Sequence, residues 1–332
     1  MEKVNILIPD VLTESGDIES EIFGTDANII VGKATSHEEI TDEVWSNSDA
    51  ILAFDQIIYD KDLISKLTKC KVIVRVGVGY DNVDLLAAKN KDILVCNVPD
   101  YGTEEVADHT MGMLLSLLRG FPEYTRKVQQ RNYSRVNNMP ARLRGKILGI
   151  IGLGRIGTAT AMRAKAFGMK IIFYDPYIKD GVDKALNLIR VDTLQEIAEF
   201  SVVISIHTPL TSETHGMIDE FFFGLVKKEP IILNTARGLI INLSALEQTM
   251  RKGFVKAAGL DVLPVEPSDD SQQLIVDYEN DEEWLKGRLV VTPHIAFYSP
   301  AAYEEMRKKA AQEALRVLNG EKARNCVNDF YE

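Results

Sequence analysis

An α/β fold, two Rossmann-like domains with parallel sheets and a cleft between them, is what this sequence predicts. Three observations carry the prediction. Short apolar runs alternate with amphipathic stretches through the opening third of the chain. A glycine-rich turn stands mid-chain between a strand pattern and a helix pattern. Three later apolar runs each end in polar or charged residues. Such alternation marks βαβ units, whose crossovers put helices on the faces of a parallel sheet.

Taken in order, strands are expected at Val4 to Ile8, Asn28 to Val31, Ala50 to Phe54, Val72 to Val76 and Ile93 to Asn97. Helices are expected at Glu38 to Ser46, Leu63 to Leu67 and Leu85 to Lys89. A long helix starts after Thr103, a capping residue followed by Glu104 and Glu105 in the first turn, and runs to about Arg119, where Gly120 and Pro122 stop it. Residues 121–145 read as a helix and loop reaching outward, either a subunit contact or a solvated linker. Pro300 to Leu318 has a helical apolar stripe through Ala302, Met306, Ala310, Ala314 and Leu318. The central position of the glycine turn makes 104–294 a nucleotide-binding domain. The ends, 1–103 and 295–332, then join as one discontinuous substrate domain.

The 332 residues carry a net charge of −11. That acidity argues against binding nucleic acid or an anionic membrane surface. No apolar run approaches a membrane span, and the first residues read as a strand, not as a targeting segment. Cys70, Cys96 and Cys326 have no metal-ligand spacing and read as reduced thiols of a cytoplasmic protein. No metal site is expected.

The strongest signal is Ile147 to Ile151, then Gly152-Leu153-Gly154-Arg155-Ile156-Gly157, a helical stretch, and a second apolar run ending in Asp175. Gly152 permits a sharp turn, Gly154 lets a pyrophosphate approach the backbone, and Gly157 lets helix and strand pack closely. The helix N-terminus then faces the phosphates with free N–H groups. Asp175 follows at about the 20-residue interval expected of the acid that holds the adenosine ribose hydroxyls. It would repel a 2′-phosphate, which favours NAD over NADP. Downstream, Arg237, Asp261 with Glu266, and His294 follow the ends of apolar runs and can converge on one cleft.

These motifs, with Arg75-Val-Gly-Val-Gly79 to Asp84, Asn97-Val-Pro99, Glu105 to Thr110, His207-Thr-Pro-Leu210, Asn234 to Gly238 and Thr292-Pro-His294, occur in one order. Over nearly its whole length the chain resembles the NAD-dependent D-2-hydroxyacid dehydrogenases. Its motifs look most like the branch of C-terminal-binding protein and phosphoglycerate dehydrogenase-like enzymes. The resemblance implies an NAD-dependent exchange between a small D-2-hydroxy acid and its 2-oxo acid. Arg237 would hold the substrate carboxylate, His294 would be the acid and base, and Glu266 would fix the histidine tautomer and favour the imidazolium. Asp261 would accept from the nicotinamide carboxamide. Val78, Thr110, Leu153, Arg155, Ile156, His207, Thr208, Pro209, Thr235 and Ala236 would line the cofactor beside the glycines, Asp175, Arg237 and His294. Arg75, Val78, Gly79 and Phe297 would join Arg237 and His294 around the substrate.

The family implies a homodimer through the nucleotide domains. Two other readings stand beside this one: a 3-phosphoglycerate dehydrogenase, and an NAD(H)-sensing dimeric binding module with vestigial catalysis. Two features depart from the family. The connection 268–284 is long and acidic and reads foremost as a surface insertion, and Phe297 stands where the C-terminal-binding protein branch tends to carry tryptophan.

Overall fold

A computed structural model describes residues 3–10, 15–134 and 141–328. It divides into two compact units, Met1–Gly102 with Tyr298–Glu332, and Thr103–Phe297. Residues 135–140, inside the segment read from sequence as an outward helix and loop, lie outside the described residues.

The first unit runs β1 (Val4–Asp10), α1 (Asp17–Phe23), β2 (Ala27–Ala34), α2 (Asp42–Asn47), β3 (Ala50–Ala53), α3 (Lys61–Lys66), β4 (Val72–Arg75), α4 (Leu85–Lys89) and β5 (Leu94–Asn97). All pairings are parallel, in the order β2-β1-β3-β4-β5. β3 and β4 are buried along their whole length, as strands covered on both faces must be. Asp60 and Asp84 cap α3 and α4, accepting from the N–H groups of Leu63 and Ala87; each satisfies one of the donors that a helix start leaves open. The helix expected from Glu38 begins only at Asp42. Ile40 and Thr41 are extended, Ile40 turns into the core, and the Trp45 indole N–H donates to the His37 carbonyl at 3.1 Å.

The second unit opens with α5 (Thr103–Arg119) and α6 (Phe121–Gln129), separated by Gly120 in the left-handed region (φ 68°). It continues through β6 (Ile147–Ile151), α7 (Arg155–Ala166), β7 (Lys170–Tyr174), α8 (Val182–Leu186), β8 (Ile189–Arg190), α9 (Leu194–Phe200), β9 (Val203–Ile206), α10 (Glu220–Gly224), β10 (Ile231–Asn234), α11 (Leu243–Arg251), β11 (Ala257–Leu260), α12 (Gln273–Glu279) and β12 (Leu289–Val291). The seven strands are parallel, in the order β12-β11-β10-β9-β6-β7-β8. Chain direction across the sheet reverses between β6 and β9, the switch point at which such sheets bind ligands.

The acidic connection is not a plain surface insertion. Leu274 and Leu285 enter the core of this unit, and Ile275 is buried. Asp277 is buried because Gln273, the Trp284 indole and Arg251 all donate to it, and the Arg251 guanidinium lies 4.1 Å over the Trp284 ring.

The chain then returns to the first unit through α13 (Pro300–Leu318), capped by the Ser299 hydroxyl, which accepts from the Ala302 N–H. Arg307 of α13 reaches the buried Glu19 of α1 at 2.9 and 2.6 Å and Asp17 at 3.0 Å. A buried carboxylate needs such a partner. Beyond α13, residues 325–327 pair antiparallel with the edge of β5. Among the described residues no helix is long and apolar enough to cross a membrane, and no three His, Cys, Asp or Glu form a metal-holding group.

Candidate active site

The sequence-predicted polar residues of the second unit follow the carboxyl ends of its parallel strands. The glycine turn follows β6, Asp175 follows β7, and His207 follows β9. Arg237, Asp261 and His294 follow β10, β11 and β12, three neighbouring strands in register at Leu233, Gly259 and Val290.

Gly152 adopts φ +89°, where other residues are strained. A Cβ there would press on the His207 carbonyl and the Thr208 methyl group, and one on Gly157 would collide with the Gly152 carbonyl oxygen. A Cβ on Gly154, the N-cap of α7, would meet nothing within 4 Å. The turn is thus closed toward the sheet and open at the helix N-terminus. Asp175 braces it, one carboxylate oxygen accepting from the Leu153 N–H at 2.8 Å and the other from the Tyr177 N–H at 2.9 Å. Arg155 and Ile156 form the first turn of α7.

The Thr208 hydroxyl is buried with no protein partner. An orphaned hydroxyl on the residue packed against Gly152, in a turn that is open at its helix end, fits a dinucleotide, whose oxygens would satisfy it. Pro209 continues this rim. Thr110 on α5 bonds Thr235 at 3.0 Å, Ala236 donates to the Asn234 side chain at 3.0 Å, and the Asn234 amide donates to the Arg237 carbonyl at 2.9 Å.

Ser205 lies 2.8 Å from His207 Nε2. Burial pushes this imidazole down from about 6.5 to about 3. Unfolded His207 would bind a proton that the folded ring refuses, so its contribution to stability is lost as pH falls from about 6.5 toward 3. The His207 ring signals in NMR should stay fixed from pH 8 to about pH 5. Movement with a midpoint near 6.5 would contradict the burial.

Arg237 donates to the Ala236 carbonyl at 2.8 Å. A Cβ on Gly238 would collide with the Leu263 carbonyl, so the Arg237–Gly238 turn lies directly against the turn leading to Glu266. Glu266 accepts from the Leu263 N–H at 2.6 Å and bonds His294 Nδ1 at 2.8 Å. With Nδ1–H given to the carboxylate, Nε2 is the nitrogen left for proton exchange. The Phe297 ring stands edge-on to the imidazole at 6.4 Å.

His294 holds a left-handed backbone, φ +53°, and its N–H donates to the Asp261 carbonyl at 2.8 Å. The Asp261 side chain, only 2% exposed, accepts from the Thr292 hydroxyl at 2.6 Å and from the N–H groups of Ile295 and Ala296 at 2.9 and 3.0 Å. Asp261, expected to accept from the nicotinamide carboxamide, also anchors the turn that presents His294. The Thr292 hydroxyl also lies 3.0 Å from His109 Nε2. Since its one proton goes to Asp261, His109 must be the donor. Thr292 and His109 escaped the sequence reading as parts of this anchor; 183 residues separate them, and no local pattern joins them.

In the first unit, Arg75, expected as a second positive contact, is largely enclosed by its own loop. It is 8% exposed, donates to the Val76 carbonyl at 2.7 Å, and lies 3.9 Å from Asp55. A Cβ on Gly77 would sit 2.5 Å from its guanidinium. Val78 and Gly79 follow on a loop that the Asn97 amide fixes by donating to the Val78 carbonyl at 2.7 Å.

Residues 111–296 match the model of a family described as D-isomer specific 2-hydroxyacid dehydrogenase, NAD binding domain. The chain is 37% identical over 98% of its length to a D-3-phosphoglycerate dehydrogenase of Methanocaldococcus jannaschii, and 32% identical over 97% to one of Bacillus subtilis. It spans 59% and 58% of the length of those relatives. Among solved structures, it is similar to the D-lactate dehydrogenase of Aquifex aeolicus complexed with NAD and lactic acid. There the TM-score is 0.83 and the identity 29%, with 96% of each chain covered.

Proposed function

The chain belongs to the D-isomer-specific 2-hydroxyacid dehydrogenase family, and on that premise we propose that it transfers hydride reversibly between NAD(H) and a small D-2-hydroxy acid or its 2-oxo form. The observation that supports this most is the Glu266–His294 bond beside the Arg237 turn. When bound, NADH supplies the hydride to the carbonyl carbon. The Arg237 guanidinium grips the carboxylate and the adjacent oxygen, a geometry its planar fork matches. His294 Nε2 gives its proton to the carbonyl oxygen, and takes one from the hydroxyl in the reverse direction. Glu266 keeps Nδ1 protonated and the ring aimed.

The two relatives named D-3-phosphoglycerate dehydrogenase favour 3-phosphoglycerate as the second reading of the substrate. The enzyme is proposed to act in the cytoplasm as a homodimer. Phe121, Val128 and Tyr133, exposed on and just after α6, support a subunit contact there.

The test is NADH oxidation, followed by absorbance, against a panel of 2-oxo acids that includes the oxo form of 3-phosphoglycerate. Turnover on at least one is expected. Tight NADH binding without turnover on any would move the assignment to a binding module. Replacing Asp175 with alanine should weaken NADH about tenfold, the scale of one or two hydrogen bonds to a charged group, and narrow the preference over NADPH. Titration calorimetry with both cofactors measures this; an unaltered NADH Kd would remove Asp175 from the cofactor site.

A further inference from the structure

Two of the three cysteines face each other across the outer edge of the five-stranded sheet. Cys96 lies on β5, the edge strand of the five-stranded sheet, and pairs with Cys326 in an isolated antiparallel bridge. The flanking bonds are Asn97 N–H to the Asn325 carbonyl at 3.2 Å and Val327 N–H to the Val95 carbonyl at 2.8 Å. That pattern makes Cys96 and Cys326 a non-hydrogen-bonded pair, the kind with Cα atoms about 4.5 Å apart and side chains closest. The spacing falls within the range that a disulfide spans. Asn328 fixes the register from beyond the pair. Its side chain accepts from the Val95 N–H at 2.7 Å and donates to the Ile93 carbonyl at 2.9 Å. The Cys96 thiol is in hydrogen-bonding reach of both Cys326 and the Glu313 carboxylate.

We propose that Cys96 and Cys326 form a peroxide-responsive dithiol site, which closes as a disulfide between β5 and the C-terminal segment. Neither is in a disulfide in this structure; Cys96 is buried and Cys326, whose thiol donates to the Asn328 side-chain oxygen at 3.3 Å, is partly exposed. The order of events follows from that difference. Burial, then Glu313 and Cys326, hold the Cys96 thiol far above its ordinary range, so peroxide meets Cys326 first. The Cys326 sulfur attacks one peroxide oxygen, the O–O bond breaks, and a sulfenic acid and water result. The Cys96 sulfur then attacks the Cys326 sulfur. An S–S bond forms, the S–O bond breaks, and the hydroxide leaves as water with the Cys96 proton, which Glu313 is placed to relay. Two thiols and one hydrogen peroxide become one disulfide and two waters; the thiols lose two electrons and the peroxide gains them. The disulfide would staple the last described residues to the sheet edge and restrict the unfolded chain over a very long loop.

The test treats the full chain with a small excess of hydrogen peroxide. The titratable thiols should fall from three to one. Non-reducing peptide mapping should then join the Cys96 and Cys326 peptides, and dithiothreitol should restore the original count. Cys70, buried and pushed up to about 12 by that burial, should remain the free thiol. In Cys96→Ala the reaction should stop at a Cys326 sulfenic acid that dimedone traps. Cys326→Ser should give no cross-link and no rise in unfolding midpoint on oxidation, whereas the wild type shows both. A Cys326 that proceeds to sulfinic acid while Cys96 stays free, or a cross-link through Cys70, would overturn the proposal.

Discussion

Replacing His294 with alanine is expected to lower turnover of 2-oxo acid with NADH by about 10²–10⁴-fold, the usual scale for a general acid or base. NADH binding should survive. The glycine turn follows β6, four strands from β12 in the sheet, or about 19 Å at the usual strand spacing. Backbone strain complicates the reading, because residue 294 is left-handed. Histidine already bears that cost, and backbone N–H groups donating to Asp261 hold the turn whatever side chain it carries. His294→Gly, which relaxes the backbone, separates the two effects: equal losses in the alanine and glycine variants assign the deficit to the missing proton donor. Activity near wild type in either variant would end that assignment. Steady-state kinetics with a parallel NADH titration make the measurement.

Arg237→Ala is expected to cost about 10²–10³ in kcat/KM, comparable to losing one donor aimed at developing negative charge. In the proposed site the guanidinium binds the ground-state carboxylate and neighbours the oxygen that gains charge, so both parameters should move. Arg237→Lys should recover part of the loss, because it returns the charge without the fork. A change in KM alone would mean uniform binding, and an unchanged kcat/KM would take Arg237 out of the site altogether. The Gly238 backbone lies against Leu263, so urea unfolding should accompany the kinetics to show that the turn is intact.

Much of this site is local and therefore legible in sequence. A glycine at positive φ, a helix start and an acid just past the next strand leave a fixed spacing, and the turns that carry Arg237, Asp261 and His294 show as breaks after apolar runs. Long-range compensation leaves no such mark. The first helix carries an acid, Glu19, on its buried side, so it shows no apolar stripe. The arginine that makes this possible lies 288 residues away. The connection 268–284 looked like surface because Asp277 is charged, yet Arg251, Gln273 and Trp284 surround it. The guanidinium of Arg75 caps its own loop over Gly77, a contact that the motif Arg75-Val-Gly-Val-Gly79 does not reveal by its spacing. Sequence identifies the groups able to do chemistry, while burial decides which of them are spent inside the protein.

The most direct test of the central claim follows the hydride itself. NADH carrying deuterium at the transferred C4 position is incubated with an accepted 2-oxo acid, and the product is analysed by mass spectrometry and chiral chromatography. One deuterium is expected at C2 of a D-2-hydroxy acid, formed at least about a hundred-fold more slowly by His294→Ala. Hydroxy acid without deuterium at C2, or NADH left unconsumed beside every 2-oxo acid offered, would contradict the claim.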